Sequence, residues 1–326
     1  MSEYSDMTKR VFKLSGIISF DQGLVNLVQS WPLEKVFEED ISLNGIGDVQ
    51  KYEKDINSLF YKDITFTDIL DIPDQRIDKI IRRLQEEFKI SDPTALVKTL
   101  EEDKERQFLS LIDKEFSKER IIKLLYLFQE RNDDEIKNIV TDSATIPTIF
   151  EYIIAIAWYY ISDQSYSLLN SLNLTLDGDF KPLSHAIGGE GDIIVDYPDI
   201  TTMLEATLMN KNSQKRGELE PVIRHAANLS TRKLGKVFTI FIADELDNNV
   251  VNIFRSVSQI ELESTQNTRT TNSVFIFSLS ISEVIELLIN NITSGKIFEI
   301  LNQEYNTTYH QISIGWRERV IEKLFN

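Results

Sequence analysis

The stretch GGEGDIIVDYPDITTMLEATLMNK, residues 188–211, contains two short apolar runs separated by a Pro-Asp turn. Runs of this length that are rich in Ile, Val, Met and Leu predict two strands, 192–197 and 202–209, joined as a hairpin. Asp192 begins the first strand, and Glu205 interrupts the apolar residues of the second. The sequence therefore predicts a hairpin that carries one carboxylate on each strand.

Side-chain alternation along the second predicted strand explains the position of Glu205. Successive side chains of a strand point to opposite faces, so Leu204 lies on one face, whereas Glu205 and Thr207 lie on the other. In a hairpin, Asp192 on the neighbouring strand can approach Glu205. Two close carboxylates repel each other unless a cation compensates their charges. Mg²⁺, which prefers oxygen ligands, is the natural compensator.

The chain on either side of the hairpin shows the pattern of an α/β domain. Strands are predicted at 236–243 and 273–279, and helices at 148–162, from about 218–221 onwards, and at 247–258. The segment 176–192 is predicted to be a loop because it is rich in Gly, Asp and Pro. Strands that alternate with helices predict an α/β domain over residues 141–326.

Residues 1–140 are predicted to form a separate, mostly α-helical region. Apolar residues at helical spacing predict helices over 76–90, 93–116 and 117–131. The basic segment RIDKIIRRL at 76–84 offers one possible DNA-facing helix. Three interpretations of this region remain open: a reduced recognition domain, a linker domain, or a surface that binds a partner protein.

The composition restricts the classes of function. The 326 residues include no cysteine, which excludes thiolate metal sites and a cysteine nucleophile, and the N-terminus lacks the apolar core of a secretory signal. The longest apolar segment, 149–161, is too short to span a bilayer, so we expect a cytoplasmic protein without a membrane partner. The net charge of −17 argues against indiscriminate polyanion binding, but seven basic and two acidic residues fall within 211–240.

Further acids occur around the hairpin at regular positions. Glu218 follows Glu205 by thirteen residues, as Glu205 follows Asp192, and Glu151 lies in the apolar helix upstream. The motifs HAIGGEGD (185–192), EATL (205–208) and ELEPVIRH (218–225) together resemble the catalytic domain of AlwI-like type IIS restriction endonucleases, whose relatives include nicking enzymes. That family is an E-x-T variant of the PD-(D/E)XK nuclease superfamily. The resemblance covers about residues 145–240.

The resemblance implies a fold, a cofactor and roles for the acids. The C-terminal region is expected to form a PD-(D/E)XK-type domain, in which a mixed sheet is flanked by helices. Asp192 and Glu205 are implied as Mg²⁺ ligands, with Glu218 and Glu151 as further catalytic acids. Thr207 stands where most of the superfamily has lysine, and a neutral hydroxyl cannot replace an ammonium group. Water activation would then rest on the metal, helped by either Glu218 or Lys215.

Basic residues beyond the hairpin are candidates for contacts with double-stranded DNA. They are Lys211, Lys215, Arg216, Arg224 and His225, although His225 has the alternative role of packing its helix. One such centre cuts one strand, so double-strand cleavage would require a second active site from a homodimer or a different subunit. Two other interpretations remain: a catalytically silent nuclease-like DNA-binding or protein-assembly module, and a protein-interaction scaffold.

Overall fold

A computed structural model describes much of the chain. The described residues are 8–9, 12–13, 18–21, 24–27, 73–90, 92–162, 166–185, 191–307 and 313–326. The glycine-rich residues 188–190 that precede the predicted hairpin lie outside them. The chain divides into two compact units, residues 17–106, and residues 1–16 together with 107–326. The division at residue 140 that the sequence suggested stays a prediction.

The unit of residues 17–106 contains a small hairpin and a helix. Strands β1 (Ile18–Asp21) and β2 (Leu24–Leu27) pair antiparallel, and helix α1 spans Asp74–Phe88. Ile80 and Leu84 are buried on one side of α1, as its apolar spacing predicts. The unit boundary falls within helix α2 (Pro93–Glu115). The predicted helices at 76–90 and 93–116 are thus confirmed.

The larger unit is a mixed α/β structure. Its remaining helices are α3 (Lys118–Gln129), α4 (Asp133–Ile139), α5 (Ile146–Ile161), α6 (Leu168–Ser171), α7 (Lys211–Gly217), α8 (Leu219–Arg232), α9 (Asn248–Ser256), α10 (Ile281–Ile289), α11 (Ser294–Asn306) and α12 (Trp316–Phe325). Its strands are β3 (Leu174–Leu176), β4 (Pro182–His185), β5 (Ile193–Asp196), β6 (Ile200–Thr207), β7 (Lys236–Ala243), β8 (Leu262–Glu263), β9 (Thr270–Thr271) and β10 (Phe275–Ser280). None of the helices within the described ranges is long and apolar enough to cross a membrane.

The central sheet has four strands in the order β10-β7-β6-β5. Strands β6, β7 and β10 run parallel, whereas β5 pairs antiparallel with β6. The predicted hairpin, the strand at 236–243 and the mixed sheet are therefore confirmed. Because β5 is antiparallel, its first residues lie at the same edge of the sheet as the last residues of β6.

Helices cover both faces of this sheet and make two separate cores. Leu204 of β6 packs in the larger core with helix α5, whereas Met203 packs in a smaller core with α8 and α9. The alternation predicted for β6 is thus observed. Glu205 shares the face of Met203, which is the face covered by α8.

Several sequence predictions need correction. The segment 176–192, predicted as a loop, contains most of the hairpin of β3 and β4, in which Asp177 closes the turn by accepting hydrogen bonds from the amides of Asp179 and Lys181. Strand β6 ends at Thr207 rather than at 209, because Asn210 caps the unpredicted short helix α7 through a hydrogen bond from the Ser213 amide.

Candidate active site

The register of the β5–β6 hairpin brings Asp192 and Glu205 together. Ile193 pairs with Leu204, so the next pair along the same register is Asp192 with Glu205. Asp192 Oδ2 accepts a hydrogen bond of 2.8 Å from the backbone amide of Ala206. This bond holds the Asp192 carboxylate against the strand that carries Glu205.

Glu205 is buried and contacts a histidine on the helix that covers this face. Its Oε1 atom lies 2.9 Å from His225 Nδ1, and only 7% of the residue surface is exposed. The pKa of His225 is lowered, first by burial and then by the neighbouring Arg224. The imidazole is therefore neutral around pH 7, so its contact with Glu205 does not supply a full compensating positive charge.

The pKa values show that the four predicted acids form one electrostatic group. Burial and the charges of the other three raise the pKa of Glu151 to about 9. Burial, together with the charge of Glu205, raises the pKa of Asp192 to about 8. For Glu205, burial and the charge of Glu218 raise the pKa to about 8, while Arg224 opposes them. The positive charge of Arg224 compensates this cluster only in part, so the acids would release protons on binding a cation.

Glu151 reaches this group from helix α5, on the other side of the sheet. It is buried, and its Oε2 atom lies 2.9 Å from Nδ1 of His185, whose side chain is half exposed. The other ring nitrogen of His185 is 3.2 Å from the hydroxyl of Thr148, one turn before Glu151. His185 therefore borders the acidic cluster.

The oxygen donors fit a hard divalent cation with an incomplete protein shell. Within the described ranges, no group of three or more His, Asp or Glu side chains is arranged to hold a metal ion. Asp192 and Glu205 instead offer two carboxylates side by side, which is the protein contribution usual at Mg²⁺ sites completed by water and phosphate oxygens. Burial and neighbouring carboxylates raise the pKa of both groups, and a bound cation would oppose that rise.

Thr207 forms a local hydrogen bond that stabilises the end of β6. It is buried, and its hydroxyl accepts a hydrogen bond of 3.1 Å from the amide of Met209. This bond closes the strand just before helix α7 begins. The cationic side chain that acts on Glu205 is instead Arg224, which lowers the pKa of that carboxyl.

The predicted DNA-contacting residues lie on α7 and α8, and three of their basic side chains pair with nearby acids. Lys211 lies 3.8 Å from Glu245, Lys215 lies 3.0 Å from Asp247, and Arg224 lies 3.0 Å from Glu220. A groove of about 390 Å³ runs beside these helices, and Lys215, Arg216 and Arg224 contribute to its lining together with apolar side chains. Their binding of DNA stays a prediction.

Two residues that the sequence did not single out for this site hold the segment that carries Asp192. Asn173 directly precedes β3 and donates hydrogen bonds to the backbone carbonyls of both Gly191 and Asp192. Gly191 itself packs directly against Met203 and Glu205. The run of glycines before Asp192 was a signal for Gly191, whereas nothing local in the sequence marks Asn173.

Comparisons with known proteins identify the family. No curated protein sequence matches the chain. Among solved structures, the chain is similar to the small subunit (R.BspD6I2) of the heterodimeric restriction endonuclease R.BspD6I, with a TM-score of 0.42 and 17% identity over 62% of this chain and 96% of that subunit. The family model described as AlwI restriction endonuclease matches residues 1–287. Because this match covers most of its length, the chain belongs to the AlwI restriction endonuclease family.

Proposed function

We propose that this chain is a Mg²⁺-dependent, sequence-specific DNA endonuclease of the type IIS class, or the strand-cleaving subunit of such an enzyme. The observation that carries the proposal is the placement of Asp192 opposite Glu205 at one edge of the sheet, with raised pKa values for both. A mixed sheet covered by helices on both faces, with the acids at a strand end, supports a PD-(D/E)XK-type arrangement.

Asp192 and Glu205 would hold the Mg²⁺ ion. When bound, the ion supplies a more acidic coordinated water and positive charge for the transition state of phosphodiester hydrolysis. The Ala206 amide fixes the Asp192 carboxylate, and His225 fixes the Glu205 carboxylate. These two contacts keep both ligands in place before a metal arrives.

Glu218 is the better candidate of the two groups proposed to orient the attacking water. Its charge raises the pKa of Glu151, Asp192 and Glu205, so it acts on the whole cluster. The Lys215 ammonium, in contrast, pairs with Asp247 and lowers the pKa of that residue. We therefore assign to Glu218 the acceptance of a proton from the water as it attacks phosphorus. The phosphodiester P–O bond then breaks, and the leaving sugar oxygen takes up a proton from solvent.

The basic residues of α7 and α8 would bind the DNA backbone beside the cutting centre. Arg224 lines the groove and also lowers the pKa of Glu205, so this part of the groove lies close to the acids. Because one centre hydrolyses one strand, we propose that a second copy or a different subunit supplies the centre for the other strand.

A plasmid-nicking assay tests the proposed function. Purified protein is incubated with supercoiled plasmid, with Mg²⁺ or with EDTA, and the sites of cleavage are mapped by run-off sequencing. We expect site-specific nicks only with Mg²⁺. Substituting Glu205→Ala should abolish them, whereas Glu286→Ala, which removes an exposed carboxylate from α10, should not. DNA binding without Mg²⁺-dependent nicking would instead favour the catalytically silent module.

A further inference from the structure

We propose that Asn173 and Gly191 are positioning residues that seat Asp192 beside Glu205. This inference rests on the proposed function in so far as Asp192 serves as a metal ligand. The seat is the short backbone segment Gly191–Asp192, which enters β5 after residues that the structure does not describe. Its contacts with Asn173 and with β6 fix where the Asp192 carboxylate lies.

Asn173 holds the seat from the side of β3. Its backbone amide donates a 3.0 Å hydrogen bond to the carbonyl of Asp192, and its side-chain amide donates a 3.3 Å bond to the carbonyl of Gly191. The adjoining residue, Leu172, forms an antiparallel bridge with Ile193. One residue thus ties both carbonyls of the seat, a pairing that leaves the Asp192 side chain free to turn towards β6.

Gly191 places the seat directly against β6, where there is no room for a side chain at this position. A Cβ atom placed on Gly191 would lie 2.4 Å from Cγ and Sδ of Met203 and 3.1 Å from Oε1 of Glu205. The first distance is a clash, and the second would push against the carboxylate that is proposed to bind the metal. The absent side chain permits the close approach of the two strands at this point.

The contacts of Asn173 and Gly191 together position the Asp192 carboxylate for its hydrogen bond with Ala206. With the backbone of residues 191 and 192 fixed, Asp192 Oδ2 reaches the Ala206 amide at 2.8 Å. The protection of that amide from hydrogen exchange therefore reports the position of the carboxylate, without any metal or DNA present. Supporting residues of this kind typically change metal affinity by about 10- to 100-fold when they are removed.

The first test compares Asn173→Ala with Asn170→Ala, which changes an exposed asparagine three residues earlier on α6. In the metal-free full chain, NMR should show that Asn173→Ala lowers the exchange protection of the Ala206 amide by about tenfold, while Phe241 in the neighbouring strand is unaffected. Calorimetric titration with Mn²⁺ alone should show a dissociation constant about tenfold higher. In nicking assays kcat should fall while KM for DNA stays constant.

The outcomes separate the seat from the proposed function. Unchanged Ala206 protection and unchanged Mn²⁺ affinity in Asn173→Ala would overturn the inference, as would an effect on thermal stability alone. A wild-type chain that binds no Mn²⁺ and nicks no DNA would overturn the proposed function. The seat would still be supported in that case if Ala206 loses protection in the variant.

The second test uses Gly191 and does not depend on Asn173. Gly191→Ala alone is expected to disturb packing through Met203, so it is combined with Met203→Ala, which removes the clashing atoms. The double variant should fold as stably as Met203→Ala alone, yet bind Mn²⁺ about tenfold more weakly, since the new Cβ still faces Glu205. Equal Mn²⁺ affinity in the double and single variants would contradict the role of Gly191.

Discussion

Two groups of buried acids in the larger unit are compensated in different ways. Asp177, in the turn between β3 and β4, lies 3.2 Å from the ammonium of Lys13 and accepts two backbone amides. Asp192 accepts a hydrogen bond from one backbone amide, and Glu205 contacts one neutral histidine. Asp177 thus forms a complete ion pair. Asp192 and Glu205 are compensated incompletely, because Arg224 lowers the pKa of Glu205 but the pKa values of both acids stay raised. This difference distinguishes a stabilising acid from one arranged to receive a cation.

Neutralising Glu205 should have the largest effect. It should lower the nicking activity without lowering the free energy of unfolding. Glu205→Gln keeps the shape but removes a proposed Mg²⁺ ligand, so nicking should fall by roughly 1,000-fold or more. The free energy of unfolding at pH 8 without metal should stay constant or rise, because repulsion within the cluster is relieved. Nicking and urea denaturation of the same preparation measure both quantities. A variant that both cleaves normally and unfolds more easily would contradict the distinction.

Neutralising Asp177 should show the opposite behaviour. Asp177→Asn leaves the Lys13 ammonium buried without its counter-ion, and breaking such a pair costs about 3 kcal/mol or more. We expect the free energy of unfolding, measured by urea denaturation at pH 7, to fall by that amount. The folded fraction should keep its wild-type affinity for Mn²⁺. An exposed acid, changed by Glu286→Gln, serves as the control and should alter neither quantity.

The dependence of stability on pH should report the state of the acids at the candidate site. The pKa values of Glu151, Asp192 and Glu205 are raised to about 9, 8 and 8 in the folded chain, from 4.5, 3.8 and 4.5. The folded state therefore holds more protons than the unfolded state between these values, and the free energy of unfolding must fall as pH rises through this window. His225, whose pKa is lowered, makes the free energy of unfolding rise with pH, but only below about pH 6.5.

Thermal melts between pH 7 and pH 9 measure this effect. With EDTA, the melting temperature of the wild type should fall over this range, and saturating Mg²⁺ should reduce the fall because the ion replaces the protons. The double variant Asp192→Asn/Glu205→Gln should show a flatter profile without metal. A wild-type melting temperature that rises from pH 7 to pH 9 in EDTA would show that the acids are compensated in some other way.

The sequence predicted the parts of this site that depend on neighbouring residues. Alternation along β6 placed Glu205 on the face opposite Leu204, and the turn length set the hairpin that brings Asp192 opposite it. Contacts between residues far apart in sequence were not predictable in this way. The contact of Asn173 with Gly191 depends on how Leu172 and Asn173 pack against the start of β5, and that packing follows from the tertiary fold rather than from any local pattern.

Removing the histidines that contact Glu205 and Glu151 should have the smallest effects on metal binding, and it distinguishes the acids within the cluster. The side chains of Glu205 and His225 are only 9% and 14% exposed, whereas the side chain of His185, beside Glu151, is 53% exposed. Contacts of exposed charged groups contribute little because solvent screens them. We therefore expect His225→Asn to weaken Mn²⁺ binding by about tenfold and His185→Asn by less than about threefold. Calorimetric titration of both variants measures this order, and a larger loss in His185→Asn would mean that Glu151, rather than Glu205, depends more on its histidine.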